Sequence, residues 1–596
     1  RVMAETGRLA PGDVVIGYDE TTGNEIILRE KDRTMHMLVL GPPGTGKTAG
    51  VLAPMAAQDL SQPDIGVTII EPKGDWVHAF GNMPGALEIA RYHGREVYLL
   101  DPTDPHSDAI NPLAGPVDVV AAVNAAALEA TQESGEEYFR QMARTVFGNV
   151  IKLLKYLEVM HPNKEEFGNP TYLEVAKALN DNQYLEYLVR ELAAAIGADL
   201  VLPSPDEVQG RNQRAQLRPR LHLAGPLANE PVGRLLAWFV NDYLAPETRE
   251  SFRTHALGLR LYVEQLFSHE GFLRLFVPDG QRRVVDLDRH LEQASVLLVN
   301  TSRGEAPLLS RLLGTLVSLH LSYAVQRRKG PEFQSGQRKT PLHVLYMDEF
   351  ASYVNEEFAA FLEQARGYNF AAVLGTQSLA DFERVGKYFR AQMLGTIRNY
   401  VVYGGIAVPD AKYFSDSFGT APQLEESESE TRRFDSATLG PDQSTLSVSR
   451  RWIERPRFSI RDLRELPPNT FVYQILQNRA LLEARRGKAK MIDPADYPGW
   501  EKHVHRAKRT DPEEVARTSG RAPAGGELQP DPAAEDPVED LFLPVGFVGA
   551  TGPDPGDTKS PGPDAGAAPQ PVAPGAVAGP RGPVIRAPVR RLPPRR

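Results

Sequence analysis

Residues 37–48 read MLVLGPPGTGKT, and this stretch decides the fold of the chain. A short apolar run leads into the pattern G-x-x-x-x-G-K-[ST], and a helical pattern follows it. Glycines in such a loop let successive backbone N–H groups turn inward around a phosphate, and the helix N-terminus adds positive potential. The stretch therefore predicts a strand, a loop and a helix, with a nucleotide bound by Gly41, Pro42, Pro43, Gly44, Thr45, Gly46, Lys47 and Thr48.

A pair of acids follows another apolar run far downstream, where residues 343–349 read HVLYMDE. In a parallel sheet the carboxyl ends of the strands meet at one edge, which places Asp348 and Glu349 beside the phosphate-binding loop. We expect Lys47 to neutralise the β- and γ-phosphates of ATP, and Thr48 and Asp348 to hold Mg²⁺. Glu349 is then the base that polarises the attacking water. In a chain without a phosphate-binding loop, two acids after a strand more often begin a helix. The presence of residues 41–48 makes a role at the nucleotide the better interpretation.

Two further residues are site candidates with open alternatives. Gln377 ends the next apolar run, where a polar side chain could sense the γ-phosphate or simply belong to a turn. Arg366 lies between the two runs and could reach a neighbouring subunit's nucleotide as an arginine finger. By chemistry alone, a surface arginine at a helix end is the better interpretation of Arg366.

Short apolar, β-branched runs recur along the chain, and most are separated by helical patterns. Continuous apolar character is typical of strands buried on both faces, so the fold class is α/β with a mostly parallel sheet. The runs are residues 37–40, 67–70, 97–100, 296–299, 344–347, 371–374, 400–403 and 471–475. Residues 425–451 are rich in Ser, Glu and Arg, which predicts an exposed loop or an excursion before the last strand.

Changes in pattern along the chain divide it into four segments. Residues 1–116 and 284–509 form the two parts of the nucleotide-binding domain. Long amphipathic patterns replace the strand-like runs in residues 117–283, which predicts an inserted all-α domain. Residues 510–596 are rich in Pro and Gly and poor in aromatics, which predicts a disordered tail.

The composition bounds the chemistry and the compartment. The chain has 596 residues, a formal net charge of −10 and no cysteine. The missing thiols exclude disulfides and cysteine nucleophiles and favour a reducing compartment. No apolar run of about 18 residues is evident, so this sequence predicts no membrane-spanning segment. The acidic balance leaves open a local basic surface for nucleic acid.

Taken together and in order, several motifs resemble those of the type IV secretion coupling proteins, the conjugative DNA-transfer ATPases with a RecA-like motor domain. The first motifs are residues 71–75 (EPKGD), 111–113 (NPL) before the helical insertion, and 296–300 (VLLVN) on the return to the sheet. Residues 348–350 (DEF), 365–368 (ARGY), 376–379 (TQSL) and 414–419 (FSDSFG) complete the series. The acids of residues 71–75 are swapped relative to the usual order of the family.

The resemblance implies a RecA-like P-loop ATPase that uses ATP and Mg²⁺ and works as a ring, a hexamer. It implies that Arg366 is the trans-acting finger and that Gln377 senses the γ-phosphate. The implied partners are single- or double-stranded DNA, a relaxase and secretion-channel proteins, at the cytoplasmic face of the inner or plasma membrane. Members usually carry N-terminal transmembrane helices, so membrane association would use a segment absent from this chain.

The cluster Arg211, Arg214, Arg218, Arg220 and His222 is a candidate contact of the helical domain with DNA or relaxase, with a solvated helix face as the alternative. Three other functions stay open at this point. The chain could be a soluble hexameric DNA translocase or helicase, a nucleotide-gated adaptor that recruits secreted proteins, or a binding module with a degenerate motor. Stimulation of ATP hydrolysis by DNA, or only by a protein partner, separates the translocase from the adaptor.

Overall fold

The computed structural model describes residues 9–74, 76–131, 137–202, 219–245, 248, 252, 257–302, 307–328, 340–432 and 444–504. The predicted tail, residues 510–596, therefore lies outside the described residues. So do Asp75 and three members of the basic cluster, Arg211, Arg214 and Arg218.

The fold is built on one large sheet. Its strands and those of three two-stranded sheets are, in chain order, β1 (Val14–Asp19), β2 (Glu25–Leu28), β3 (Met37–Leu40), β4 (Gly66–Glu71), β5 (Val97–Leu100), β6 (Asp199–Val201), β7 (Arg220–His222), β8 (Val296–Asn300), β9 (His343–Met347), β10 (Phe370–Thr376), β11 (Asn399–Tyr403), β12 (Thr420–Arg432), β13 (Ser444–Pro456), β14 (Thr470–Gln474), β15 (Leu476–Gln477), β16 (Ala480–Leu481) and β17 (Arg485–Ala489).

The large sheet has eleven strands in the order β2-β1-β17-β14-β11-β3-β10-β9-β4-β8-β5. The strands from β11 to β5 are all parallel, while β14, β17, β1 and β2 extend the sheet with antiparallel pairs. Every apolar run that the sequence indicated falls on a strand of this sheet. The predicted α/β class with a mostly parallel sheet is confirmed.

One feature of the strand order positions the site. Strand β10 lies between β3 and β9, with Leu374 level with Leu38 on one side and with Met347 on the other. Because the three strands are parallel, the segments that follow them leave the sheet at the same edge. The phosphate-binding loop, the acid pair and Gln377 are those segments.

Helices cover the sheet. The α-helices are, in chain order, α1 (Glu30–Arg33), α2 (Ala53–Leu60), α3 (Ala86–Tyr92), α4 (Val117–Thr131), α5 (Glu137–Met160), α6 (Tyr172–Asn180), α7 (Asn182–Ala195), α8 (Pro231–Trp238), α9 (Leu257–Phe267), α10 (Glu270–Phe276), α11 (Leu287–Glu292), α12 (Pro307–Arg327), α13 (Glu357–Ala365), α14 (Ala380–Val385), α15 (Phe389–Thr396), α16 (Val408–Ser417) and α17 (Ile460–Arg464). π-Helical turns at Thr48–Leu52 and Phe239–Tyr243 adjoin α2 and α8.

Alternation along the strands divides the core between the two faces of the sheet. Leu38 and Leu40 of β3 belong to one buried cluster, whereas Met37 and Val39 belong to the other. Successive side chains of a strand point to opposite faces, so a run that is apolar throughout requires cover on both sides. The first cluster continues without a break into helices α4 to α10.

The segment predicted as an all-α insertion is mainly helical in its described residues but contains one antiparallel pair of short strands. Strands β6 and β7 pair antiparallel, with Leu200 opposite Leu221. Each strand has three residues with a partly buried centre and exposed flanks, too short a pattern to indicate a strand. The hydrophobic cluster that this segment shares with the sheet marks no boundary, so the predicted limits at 116/117 and 283/284 remain predictions.

Of the two interpretations of residues 425–451, the exposed loop is wrong in its backbone conformation, whereas an excursion of the chain before β14 agrees with the element order. Strands β12 and β13 occupy most of this segment and form an antiparallel two-stranded ribbon. Glu426 lies opposite Arg450 and is 2.7 Å from it, and Glu425 forms a diagonal ion pair with Arg455, also at 2.7 Å. Backbone pairing and these cross-strand ion pairs stabilise a ribbon that lacks the apolar alternation of a packed strand.

Among the described residues, one helix is long and apolar enough to cross a membrane by composition, namely Pro307–Arg327. Most of it, 83% of its most apolar window, is buried in the fold. Its contacts with α4 and α13 make it a core helix of this structure.

A buried ion pair ties the helix after the phosphate-binding loop to the rest of the core. Arg33 of α1 donates to both carboxylate oxygens of Asp59 in α2, at 2.8 and 2.5 Å. Tyr346 of β9 donates to the same carboxylate at 2.5 Å. Both charged side chains are almost fully buried, so removing one leaves an uncompensated charge in a low-dielectric interior.

We therefore expect Asp59→Ala to lower the free energy of unfolding by about 3–5 kcal/mol. Urea denaturation followed by circular dichroism measures the change. Arg461→Ala is the control, because Arg461 forms an exposed pair with Glu465 and its loss leaves the transition midpoint unchanged. A wild-type midpoint for Asp59→Ala would contradict the assignment of a structural role to this pair.

Candidate nucleotide-binding and hydrolysis site

The loop between β3 and α2 has the backbone that a phosphate cradle needs. Gly44 and Gly46 have positive φ angles of 79° and 99°, a region that residues with a Cβ atom rarely adopt. The Gly41 N–H donates to the carbonyl of Thr376 at 3.2 Å, which fixes the start of the loop to β10. Thr45 Oγ1 donates to the carbonyl of Pro42 at 2.8 Å, which closes the loop on itself.

Two residues that the sequence did not single out pack against this loop. Tyr403, the last residue of β11, donates its hydroxyl to the carbonyl of Gly46 at 3.2 Å. A Cβ atom on Gly46 would lie 2.7 Å from Asn469 Oδ1, just before β14. Strand β14 is antiparallel to β11, so its first residues lie at the loop's edge of the sheet. A residue with a Cβ atom in place of Gly46 would therefore be strained at this φ angle and would press against the side chain of Asn469.

Lys47 is held among charged groups at the end of the loop. Its side chain is buried, and burial lowers its pKa. Asp348 opposes that shift, as do Glu349 and Asp381, while Lys73 adds to it. A partly desolvated ammonium beside carboxylates is poised to exchange them for the phosphates of a nucleotide.

Thr48 and Asp348 meet although they are 300 residues apart in the chain. Thr48 Oγ1 donates to Asp348 Oδ2 at 2.7 Å. Asp348 is buried, and the absence of a side chain at Gly375 of β10 makes room for it, because a Cβ atom there would overlap Asp348 Oδ1. A hydroxyl and a carboxylate oxygen side by side are ligands that suit Mg²⁺ bound together with nucleotide phosphates.

The described residues contain no cluster of three or more acidic or histidine side chains able to hold a metal ion by themselves. Such a metal site would therefore depend on the phosphates that accompany the ion. This is the usual way in which Mg²⁺ binds at nucleotide sites, since the ion keeps few protein ligands.

Glu349 and Gln377 form the second contact of the site. Gln377 Nε2 donates to Glu349 Oε1 at 2.8 Å. Glu349 adopts a left-handed backbone with φ 48°, and its N–H donates to Asp348 Oδ1 at 3.0 Å. The two acids of the pair therefore point to different tasks, one towards Thr48 and the other towards Gln377.

Two further acids hold the loop that carries Gln377. Asp410 of α16 accepts from Ser378 Oγ at 2.8 Å and from the Leu379 N–H at 3.2 Å. Asp381 accepts from Thr376 Oγ1 at 3.1 Å, at the end of β10. These bonds connect the position of Gln377 to helix α16, which precedes the β12–β13 ribbon.

Arg366 lies at the opposite edge of the sheet from the other predicted site residues. It follows α13 and precedes β10, whereas Gln377 follows β10, a strand of seven residues. At about 3.3 Å per residue the two ends of β10 are roughly 20 Å apart. Arg366 therefore does not join the site within its own chain, and its contact is with Met35 Sδ at 3.9 Å.

The two described members of the basic cluster, Arg220 and His222, are exposed residues of strand β7. They belong to an antiparallel pair of short strands and not to a helix face.

Three residues near the site were not assigned to it by the sequence analysis, because the residues around most of them give little indication of such a role. Lys73 belongs to the quoted motif EPKGD, but only its electrostatic effect on Lys47 connects it with the site. Asp410 reads as an ordinary acid in the first turn of a helix. Tyr403 could have been found, because it ends an apolar run of the parallel sheet at the site's edge.

The contacts of Asp410 lead to a prediction about catalysis without loss of binding. Asp410→Ala frees the loop that positions Gln377, so we expect the kcat of ATP hydrolysis to fall roughly ten- to hundredfold. The affinity for an ATP analogue stays near the wild-type value, because the phosphate-binding loop is untouched. Asp416→Ala is the control, since Asp416 is an exposed residue of the same helix. Equal rates for the two variants would refute the positioning role of Asp410.

Two protein-family models match the chain. The model described as "Type IV secretory system Conjugative DNA transfer" matches residues 6–196. The model described as "TraM recognition site of TraD and TraG" matches residues 342–468. Together the two matches cover more than half of the chain.

Solved structures of the bacterial conjugative coupling protein TrwB are similar over most of the chain. The unbound monoclinic form has 15% identity, covers 82% of this chain and 90% of its own, and has a TM-score of 0.48. Its complex with a GTP analogue has 16% identity, covers 82% and 91%, and has a TM-score of 0.49. Its complex with an ATP analogue has 15% identity, the same coverage and a TM-score of 0.48. Likeness at this level says nothing about what this chain binds.

No curated protein matches the sequence. The first family match runs from before the phosphate-binding loop into the helical insertion, and the second lies after the insertion and includes the acid pair. The chain belongs to the type IV secretion coupling protein family.

Proposed function

We propose that this chain is the ATP-hydrolysing motor that recruits DNA, with any bound relaxase, and drives it towards the membrane channel of a type IV secretion system. The observation that carries the proposal is the contact of Thr48 with Asp348 at 2.7 Å beside that of Gln377 with Glu349 at 2.8 Å. A complete set of phosphate, metal and water-activating groups at one sheet edge supports hydrolysis and not merely nucleotide binding.

The roles of the chain's own groups follow from their positions. The N–H groups of residues 41–48 and the Lys47 ammonium bind and orient the phosphates. Thr48 Oγ1 and Asp348 Oδ2 would hold Mg²⁺, which neutralises charge on the phosphates when bound. Glu349 would accept a proton from the attacking water, because its carboxylate, unlike that of Asp348, is not bonded to Thr48.

Gln377 gives this site a means of coupling hydrolysis to movement. Its amide now donates to Glu349, and a γ-phosphate entering the site would compete for the same donor. Release of Glu349 and capture of the phosphate by Gln377 are then one event. The bonds from Asp410 to residues 378 and 379 would pass the change in this loop to α16.

The family supports the cargo and the setting that we propose. The matched model for conjugative DNA transfer supports DNA as the moving substrate, with relaxase and secretion-channel proteins as partners. A ring of copies, a hexamer, would move DNA by phosphate contacts at the cytoplasmic face of the inner membrane. With a net charge of −10 over the whole chain, those contacts must come from local basic surface.

A test of the motor is Lys47→Ala, which removes the buried cation of the phosphate-binding loop. We expect loss of ATP hydrolysis by more than about a hundredfold, and loss of its stimulation by DNA. A coupled phosphate-release assay, with and without DNA, measures both quantities. DNA-stimulated hydrolysis that survives in this variant would show that the site is elsewhere, and stimulation of the wild type by a protein partner alone would favour the adaptor.

Glu349→Gln separates hydrolysis from binding. The amide keeps the size of the side chain but cannot accept a proton from water, so kcat falls about a hundredfold or more. Because residues 41–48 are unchanged, ATP binding is retained, as measured by fluorescence titration with a labelled analogue. Rapid hydrolysis by this variant would exclude Glu349 as the base.

A further inference from the structure

A cleft of about 430 Å³ opens at the edge of the sheet opposite the phosphate-binding loop. Its walls come from the turn before β3, from α13 and the residues after it, and from α15 and the residue before β11. Arg366 and Arg398 both line this cleft, and both are exposed. The first lies close before β10 and the second directly before β11, so they flank β3 in the sheet.

Met35 lies between the two arginines. Arg366 Nη1 is 3.9 Å from Met35 Sδ, and the Arg398 N–H donates to the Met35 carbonyl at 3.0 Å. The backbone of Arg398 is thereby fixed to the turn before β3, while its guanidinium is left at the surface. The two arginines thus present their charges from neighbouring positions of one cleft.

The charge of the cleft is positive. Neither Arg366 nor Arg398 forms an ion pair with an acid among the residues that the structure describes. His36 is buried in the wall, accepts from the Ala372 N–H through Nδ1 at 3.2 Å, and bonds the Leu362 carbonyl through Nε2 at 2.8 Å. Burial lowers the pKa of His36 to about 4, so it is neutral at pH 7. Glu363 is the acidic residue among those that line the cleft, against two arginines.

The nucleotide site, in contrast, has an excess of negative charge. The charged groups that act on Lys47 are Asp348, Glu349 and Asp381, against one further cation, Lys73. The negative charge of three carboxylates and a triphosphate exceeds the positive charge of two lysines and one Mg²⁺. The arginines of the same chain are roughly 20 Å away across the sheet, so they cannot supply the difference.

The family resemblance implies that Arg366 reaches the nucleotide of a second copy of the chain; we propose that Arg398, in the same cleft, contacts the phosphates bound at residues 41–48 of that copy as a second trans-acting catalytic cation. The inference rests on the proposed ATPase function and extends it to Arg398, which no motif of the sequence singled out. A planar guanidinium binds phosphate oxygens through two N–H groups, and a second one spreads the charge that develops during transfer. Each site is then completed only at the junction of two copies.

The first test compares Arg398→Ala with a matched control. Arg398→Ala lowers kcat at least about tenfold in the assembled protein, while the affinity of the dispersed chain for an ATP analogue is unchanged. Arg398→Lys keeps the charge but not the fork and gives an intermediate rate. Arg289→Ala is the control, because Arg289 is exposed before β8 at the same sheet edge, bonds Gln293 and is not among the residues lining the cleft. Wild-type kcat in Arg398→Ala would overturn the proposal.

The second test asks whether Arg398 acts across copies. Lys47→Ala and Arg398→Ala are each inactive or slow alone, and are mixed in equal amounts and allowed to assemble. In the mixture, an intact loop of one variant meets the intact Arg398 of the other, so hydrolysis rises above that of either variant alone. A mixture no faster than the sum of its parts would mean that Arg398 acts within its own chain, or not at all, and would overturn the proposal. Failure of the wild type to hydrolyse ATP would instead count against the proposed function itself.

Discussion

The alignment of three neighbouring parallel strands is the constraint on which the rest of this structure depends. Strands β3, β10 and β9 end at one sheet edge, so segments far apart in the chain become one site. The hydrogen bond from Thr48 to Asp348 spans 300 residues, including the whole helical insertion. A slip of β10 against either neighbour would separate the phosphate-binding loop, the acid pair and Gln377 at once.

The same alignment explains how charged groups tolerate burial at this edge. Asp348, Lys47 and Asp410 are each buried, and each has polar or oppositely charged partners within reach. Burial lowers the pKa of Lys47, whereas the negative charge of Asp348 works against that shift. The chain of contacts from Glu349 through Gln377 to Asp410 is polar throughout. A change at the nucleotide can therefore reach α16 without rearrangement of the apolar core.

The sequence predicted the site best where the functional residues lie in short consecutive motifs. The loop at residues 41–48 and the pair Asp348–Glu349 have fixed local patterns, and the strands of the parallel sheet have continuous apolar runs. Asn469 was missed because the antiparallel pairing of β14 with β11 places it at the loop. Tyr403 ends a strand that is parallel to β3, and its position at the site's edge could have been found. The β12–β13 ribbon was missed because its strands are held by backbone pairing and ion pairs, and not by an apolar face. Arg398 carries no motif, and its position beside Arg366 appears only when β3 lies between them.

The central claim is that Thr48 and Asp348 form the metal-binding half of a nucleotide site. Thr48→Val removes the hydroxyl and keeps the shape of the side chain, so it tests this claim with little disturbance to packing. The measurement is the dissociation constant of a non-hydrolysable ATP analogue, taken by calorimetry with and without Mg²⁺. The account predicts that Mg²⁺ strengthens binding to the wild type and that Thr48→Val loses most of this effect, while affinity without Mg²⁺ is unchanged. An equal effect of Mg²⁺ on both proteins would contradict it.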